Sequence, residues 1–157
     1  MKFKILFSTL LFIGIAKCSA QTALDTDGLN NLNNVYLYSL KEYCDSLDSS
    51  KTKIIYVKRE YFIGDSWPKE INGFEIKYLA NPLYEKVIKE NGGSIILVGI
   101  SPLELEKGNF YVAVIPFSAF YKNKVVHLIN GGGLTVNFQY DPDKKGLTYK
   151  SKKWSGI

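Results

Sequence analysis

The strongest constraint on the fold is a strict alternation of apolar and polar residues near the end of this 157-residue chain. The apolar positions are Leu134, Val136, Phe138 and Tyr140. The polar positions between them are Thr135, Asn137 and Gln139. Because successive side chains of a β-strand point to opposite faces, the pattern predicts a strand with one buried and one solvated face. The preceding Gly131-Gly132-Gly133 predicts a bulge or a hairpin turn, since a phosphate-binding loop would need lysine and a hydroxyl after the glycines.

Other short apolar segments predict further strands around this one. They cover residues 53–58, 74–79, 95–100, 110–121, 125–129 and 147–152. Pro116 cannot donate a ladder hydrogen bond, which predicts an edge position or a bulge at that point. The strands after residue 94 follow one another with short connections, which predicts an antiparallel meander.

Two helices are expected before the meander. An apolar stripe with spacings of three and four residues predicts an amphipathic helix over residues 34–47; its members are Tyr36, Leu37, Leu40, Tyr43, Cys44 and Leu47. Asn33 or Asn34 is the expected cap at its start. Asn81-Pro82 and Gly92-Gly93 are start and stop signals, and they predict a short second helix between them.

Together these elements predict an α+β fold. We expect a curved antiparallel β-sheet with a C-terminal meander, packed against one long N-terminal helix and one short helix. Cystatin-like and NTF2-like folds are similar in this general plan, which implies nothing about function. The expected organisation is a signal peptide (1–20), a flexible polar leader (21–33) and one globular α+β domain (34–157).

The first twenty residues have the layout of a secretory signal peptide. Lys2 and Lys4 precede a twelve-residue apolar run at 5–16, and small residues follow up to Ala20. The ending Cys18-Ser19-Ala20-Gln21 resembles signal peptides of proteins secreted by Bacteroidota. We expect cleavage after Ala20, a secreted or periplasmic protein, and no transmembrane segment after cleavage, since the run is too short to span a bilayer. Lipidation of Cys18 is the weaker alternative, because Lys17 stands where lipoprotein signals have a small residue.

Charge and cysteine content limit the partners and the chemistry. Removal of the signal leaves 17 basic and 15 acidic side chains, a net charge of +2, which gives no general field for nucleic acid. A basic group near the C-terminus fits an edge strand protected from aggregation better than a nucleic-acid site; it comprises Lys144, Lys145, Lys150, Lys152 and Lys153. Cys44 has no partner for a disulfide and is expected to be a buried, inert thiol.

No catalytic or metal-binding motif is complete. His127 is the only histidine, and it lies in an apolar strand with no local nucleophile or carboxylate, which favours a structural role. Residues 141–146 begin like a calcium-binding loop but have lysines at ligand positions, so a turn is expected there. Residues 25–28 also begin like a calcium-binding loop, but the residues after them do not continue the ligand pattern. Ser101 is not in a nucleophile elbow. We therefore predict no metal site and no cofactor.

Aromatic residues in irregular or terminal segments are the best candidates for a binding site. They are Tyr61, Phe62, Trp67, Tyr121 and Trp154. The sequence therefore predicts an exported, non-catalytic binding or interaction domain of the bacterial cell envelope, whose partner is an unknown protein or a small-molecule or glycan ligand. The alternatives are a purely structural envelope component and a small secreted enzyme. The enzyme would have a pocket between helix and sheet, where His127 acts with a carboxylate such as Asp65 or Glu75. A deep cavity holding His127 would favour the enzyme, and an exposed aromatic patch would favour binding.

Overall fold

The computed structural model describes residues 34–156, in which nine strands form one sheet and two helices pack on it. The strands are β1 (Ile54–Lys58), β2 (Glu70–Ile71), β3 (Phe74–Leu79), β4 (Ser94–Ile100), β5 (Glu104–Glu106), β6 (Asn109–Lys122), β7 (Val125–Asn130), β8 (Gly132–Asp141) and β9 (Gly146–Gly156). The helices are α1 (Val35–Asp45) and α2 (Tyr84–Glu90), the latter directly preceded by a 3₁₀ turn (Asn81–Leu83). The predicted signal peptide (1–20), cleavage after Ala20, lipidation of Cys18 and the leader (21–33) lie outside the described residues.

The sheet is mixed, with the strand order β2-β3-β1-β4-β6-β8-β9 and with β5 and β7 also paired to β6. The strand β1 runs parallel to both β3 and β4, and the other pairs are antiparallel. The chain leaves β3, passes through the 3₁₀ turn and α2, and returns as β4 on the far side of β1. Such a crossover is required to join parallel strands.

The predicted fold class is wrong. The sheet is not an antiparallel sheet on one long helix, because three of its strands are parallel and α1 has only 11 residues. The helix ends at Ser46, whose N–H and hydroxyl both bond to the carbonyl of Tyr43 at 3.0 and 2.6 Å. Parallel pairing depends on where the α2 crossover returns the chain, and local periodicity contains no information on that.

The longest described strand, β6, is the centre of the meander. Along one edge it pairs with β4 and then β5; along the other it pairs with β7 and then β8. On this second edge the ladder with β8 ends at Val114 and the ladder with β7 begins at Phe117. Pro116 therefore lies where β6 has no ladder partner on one side, which suits a residue without an N–H.

The glycine run joins β7 to β8 at this same place. Gly132 has φ +116°, and a Cβ there would lie 2.1 Å from the carbonyl oxygen of Ser155. A Cβ on Gly133 would lie 2.6 Å from the carbonyl oxygen of Val114. The glycines thus allow the chain to bend closely between two strands, as the predicted bulge or turn requires.

Two apolar clusters cover opposite faces of the sheet. On one face α1 packs against β6 and β8; the fully buried side chains include Leu37, Leu40, Val112, Val114, Leu134, Val136 and Phe138. On the other face α2 contributes Tyr84 and Ile88, which pack with residues of β4 and β6. The predicted cap is confirmed, since the side chain of Asn34 accepts the N–H of Leu37 at 3.0 Å.

Several other local predictions are confirmed. The apolar positions Leu134, Val136 and Phe138 of β8 are buried, but Tyr140, which was predicted on the same buried face, is exposed. Asp141 accepts the N–H groups of Asp143 and Lys144, as expected for a turn. Cys44 lies on the buried side of α1, and burial raises the pKa of its thiol to about 12.

Candidate functional site

One end of the sheet face that α1 covers is bare. Ile100 and Ile96 point to the same face of β4, yet Ile100 is 4% exposed under α1 and Ile96 is 53% exposed. Ile96 lies opposite Ser118 of β6, which in turn lies opposite Ile129 of β7, 56% exposed. We call this region the open sheet surface; it comprises Ile96, Ser118, Phe120, Val125, His127 and Ile129. Several of its apolar side chains are neighbours, unlike the single apolar residues scattered over most protein surfaces. Groups of this kind often mark interaction sites.

A small apolar cavity continues this surface toward α1. Its volume is about 170 Å³, and it is lined by Tyr43, Leu47, Thr52, Ile54, Ile55, Ile96 and Val98. Trp154 of β9, 46% exposed, packs on Tyr43 with ring centroids 5.8 Å apart. Tyr43, near the C-terminal end of α1, therefore packs against the predicted contact residue Trp154 and also lines the cavity that reaches Ile96.

His127 lies on the open sheet surface and not in an enclosed pocket. Its ring stacks on Phe120, with centroids 5.1 Å apart, and its Nε2 lies 3.3 Å from the backbone oxygen of Lys122. Glu75 is on β3, four strands away, which corresponds to about 19 Å at about 4.8 Å per strand. Asp65 lies in the loop between β1 and β2, where it forms an ion pair with Arg59 of the same loop. The structure does not bring together the groups that the enzyme hypothesis requires.

The strand β7 forms an edge of the sheet beside this surface. Within the described chain it pairs with β6 alone. Its sequence, VVHLIN, has no charged side chain, and Val125, Leu128 and Ile129 are all exposed. Leu128 points to the face opposite Ile129, so the edge is apolar on both faces.

Three of the predicted aromatics lie in the loop of residues 59–69, between β1 and β2, which we call the aromatic loop. Tyr61 is 87% exposed and meets Phe62 edge-on, while Phe62 stacks on Tyr36 with centroids 4.1 Å apart. Trp67 is only 6% exposed and packs edge-on against Tyr78. The loop therefore presents Tyr61 to solvent and contributes Trp67 to the core.

A second cavity, of about 230 Å³, lies under the aromatic loop. It is lined by Arg59, Ile63, Gly64, Asp65, Trp67, Lys69, Ile76 and Tyr78. The hydroxyl of Tyr78 donates to the carbonyl of Pro68 at 2.8 Å, and burial raises the pKa of this tyrosine. Arg59 is neutralised by Asp65. The polar groups at this cavity mostly bind one another, which favours a structural role for the loop.

Tyr121 lies apart from the other candidates, against α2. The Nζ of Lys89 is 4.5 Å from its ring centroid and 2.6 Å from Glu85. The hydrogen bond from Lys89 lowers the pKa of Glu85. The five predicted aromatics thus occupy three separate places: the aromatic loop, the end of α1 and the flank of α2.

The open sheet surface was missed by the sequence reasoning. Ile96 and Ile129 belong to apolar strands, and such strands are normally covered on both faces. The one available signal was the uncharged segment VVHLIN directly after a turn with two lysines. Its exposure depends on α1 being too short to reach it, which only the three-dimensional arrangement reveals.

Among residues 34–156, no group of three or more His, Cys, Asp and Glu side chains is placed to hold a metal ion. None of the helices in that same range has the length and apolar character needed to cross a membrane. Comparison of the chain with protein-family models, curated proteins and solved structures finds no match.

Proposed function

We propose that the chain is an exported, non-catalytic domain of the bacterial cell envelope that binds another protein. The observation on which this depends is the open sheet surface, where Ile96 and Ile129 are each more than half exposed beside an uncharged edge strand. Neighbouring exposed apolar side chains of this kind commonly mark sites of protein–protein interaction.

The shape of this region favours a protein over a small molecule. Ligand pockets for small molecules are concave and usually measure about 300–1,000 Å³. The adjoining apolar cavity is about 170 Å³, and the rest of the surface is an open sheet face. Trp154, which packs on the cavity-lining Tyr43, is the type of residue that anchors protein interfaces.

Export is the second part of the proposal, and its support is the pattern of the first twenty residues. The charged start, the short apolar run and the small residues up to Ala20 are typical of a secretory signal. N-terminal sequencing of the protein recovered from its native host tests this part. We expect the chain to begin at Gln21; an intact Met1 or a lipidated Cys18 would contradict it.

Site-specific photo-crosslinking tests the binding function. A photoreactive amino acid replaces Ile129, which is 56% exposed, or, as the matched control, Leu105, an apolar residue of β5 that is 63% exposed. We expect Ile129 to crosslink to a defined envelope protein, with competition by an excess of unmodified domain, and Leu105 to give no such product. Equal crosslinking at both positions, or none at Ile129, would contradict binding through this surface.

A further inference from the structure

The edges of the sheet differ in how they are protected. Four strands have a free edge within residues 34–156: β2, β5, β7 and β9. The strand β2 has two residues, and β5 has three, of which two are glutamates. The strand β9 contains Lys150, Lys152 and Lys153. Short length and charged side chains are the usual devices that prevent an edge from pairing with another chain. Only β7 among these four has six residues and no charge.

The register shows which backbone groups of β7 are unpaired. Asn123 and Lys124 have φ values of 54° and 63°, so they form a two-residue turn of the kind that joins hairpin strands. The residues flanking such a turn exchange both hydrogen bonds, and the bonded pairs then alternate along the ladder. Lys122 pairs with Val125, so His127 and Ile129 also direct their backbone groups toward β6. The N–H and C=O groups that point away belong to Val126, Leu128 and Asn130.

Positive charge borders this edge at one end only. Lys122 and Lys124 lie at the β6–β7 turn, and neither forms an ion pair with any residue between 34 and 156. The other end of β7 continues into uncharged glycines. A strand that pairs with β7 would therefore gain from an acidic residue beside the turn.

A second copy of this chain does not supply that charge. If two β7 strands paired antiparallel about a two-fold axis through their outward groups, with Val126 opposite Asn130, each Lys124 would face Gly132 of the other copy. The four lysines at the two ends would then have no acidic partner from β7 or from the glycine run. Charge complementarity thus favours a different segment over self-association.

We propose that β7 accepts an extended peptide segment of a partner protein as an additional strand of the sheet. The segment has alternating apolar residues and an acidic residue next to Lys122 and Lys124. Its backbone bonds to the outward groups of Val126, Leu128 and Asn130, the mode of binding known as strand addition. Its apolar side chains extend the open sheet surface beyond Ile129. This inference rests on the proposed function and specifies the chemistry of the partner.

The test uses a defined probe and the domain of residues 21–157. The probe is an acetylated and amidated eight-residue peptide that alternates valine and threonine and has two glutamates at one end, made in both orientations. We expect one orientation to bind, with NMR shifts at Val126 and Leu128, and a peptide with lysines in place of the glutamates to bind at least tenfold more weakly. Methylation of alternate backbone nitrogens should abolish binding.

Variants of the domain locate the site. K124E should weaken binding of the glutamate peptide at least severalfold, whereas K107E should not, although Lys107 also has a positive φ at a hairpin turn. L128P removes an outward N–H and should abolish binding. If L128P does not fold, the methylated peptide still decides the question, because it requires no change in the protein.

Three results would overturn the proposal. They are equal binding of the lysine and glutamate peptides, undiminished binding of the methylated peptide, and no binding of either orientation at millimolar concentration. Concentration-dependent dimerisation seen by sedimentation, and lost in L128P, would also overturn it in favour of a second copy. If the peptides fail but Ile129 still crosslinks specifically to an envelope protein, strand addition is wrong and the proposed function remains.

Discussion

The same substitution at two positions of one strand tests whether the sheet face is covered at one end and open at the other. Ile100 and Ile96 are four residues apart on β4 and point to the same face. Replacement by alanine changes strand propensity equally at both positions. The difference between the two variants therefore reports the difference in burial, and any general effect of alanine in a strand cancels.

The expected magnitudes follow from the exposed fractions. Removing the outer carbons of isoleucine costs about 0.8 kcal/mol per buried methylene, or about 2.4 kcal/mol at a fully buried site. The cavity left under α1 adds to this, so I100A should lower the free energy of unfolding by about 2–5 kcal/mol. Ile96 is 53% exposed, which halves the transfer cost. I96A should thus cost about 1 kcal/mol.

Urea denaturation of the domain of residues 21–157 measures both values. We expect I100A to be less stable than I96A by at least about 1.5 kcal/mol, with the same dependence on urea in both variants. For a chain of this size that difference corresponds to about 3–6 °C in melting temperature. Equal losses at the two positions would refute the reasoning, since Ile96 would then be as covered as Ile100.

Three further predictions concern the framework of the fold. N34A removes the cap of α1 and should lower the free energy of unfolding by about 1 kcal/mol in urea denaturation; no loss would contradict the cap. G132A should cost more than about 1 kcal/mol because of its positive φ and close contact, whereas G131A, with open space around its Cα, should cost less than about 0.5 kcal/mol. Burial raises the folded-state pKa of Cys44 from 9.0 to about 12, so the unfolded thiol ionises first. The stabilisation from this group is thus complete below pH 9 and is lost as the pH rises toward 12. The free energy of unfolding should therefore fall less steeply between pH 9 and pH 12 in C44A than in the unchanged protein. A thiol reagent that modifies Cys44 at pH 8 without urea would contradict its burial.

Local features of the fold could be predicted from the sequence because their causes are local. The alternation ending at Phe138 reflects the two-residue period of a strand with one covered face. The cap at Asn34 requires only a side-chain oxygen that can accept a free N–H group of the first helical turn, here that of Leu37. Pro116 lies where β6 has no ladder partner on one side because proline has no N–H to donate. The exception is Tyr140, which the alternation placed on the buried face and which is 57% exposed.

The arrangement of the strands could not be predicted in this way. The strand β1 pairs with β3 and β4, which lie 15 or more residues further along the chain. Nothing in the pattern of either segment distinguishes a parallel from an antiparallel neighbour. The two-residue strand β2 is too short to have a period at all. The antiparallel prediction failed at these strands for that reason.

The candidate site was only partly predictable. Aromatic residues in irregular or terminal segments were expected at a binding surface, and Trp154 is half-exposed and packs on Tyr43 beside the apolar cavity. Trp67 is instead buried against Tyr78, because a large ring in a loop can close the core as well as face a partner. The sequence predicted a strand at Ile129 but not its exposure, which results from the short length of α1.

Amide hydrogen exchange along β7, measured by NMR on the free domain of residues 21–157, tests the central claim most directly. That claim is that β7 is an open edge beside an uncovered sheet face. We predict slow exchange at His127 and Ile129, whose N–H groups point to β6, and fast exchange at Val126 and Leu128, whose N–H groups face solvent. Slow exchange at all four amides would contradict the claim, because the edge would then already be paired in the absence of any partner.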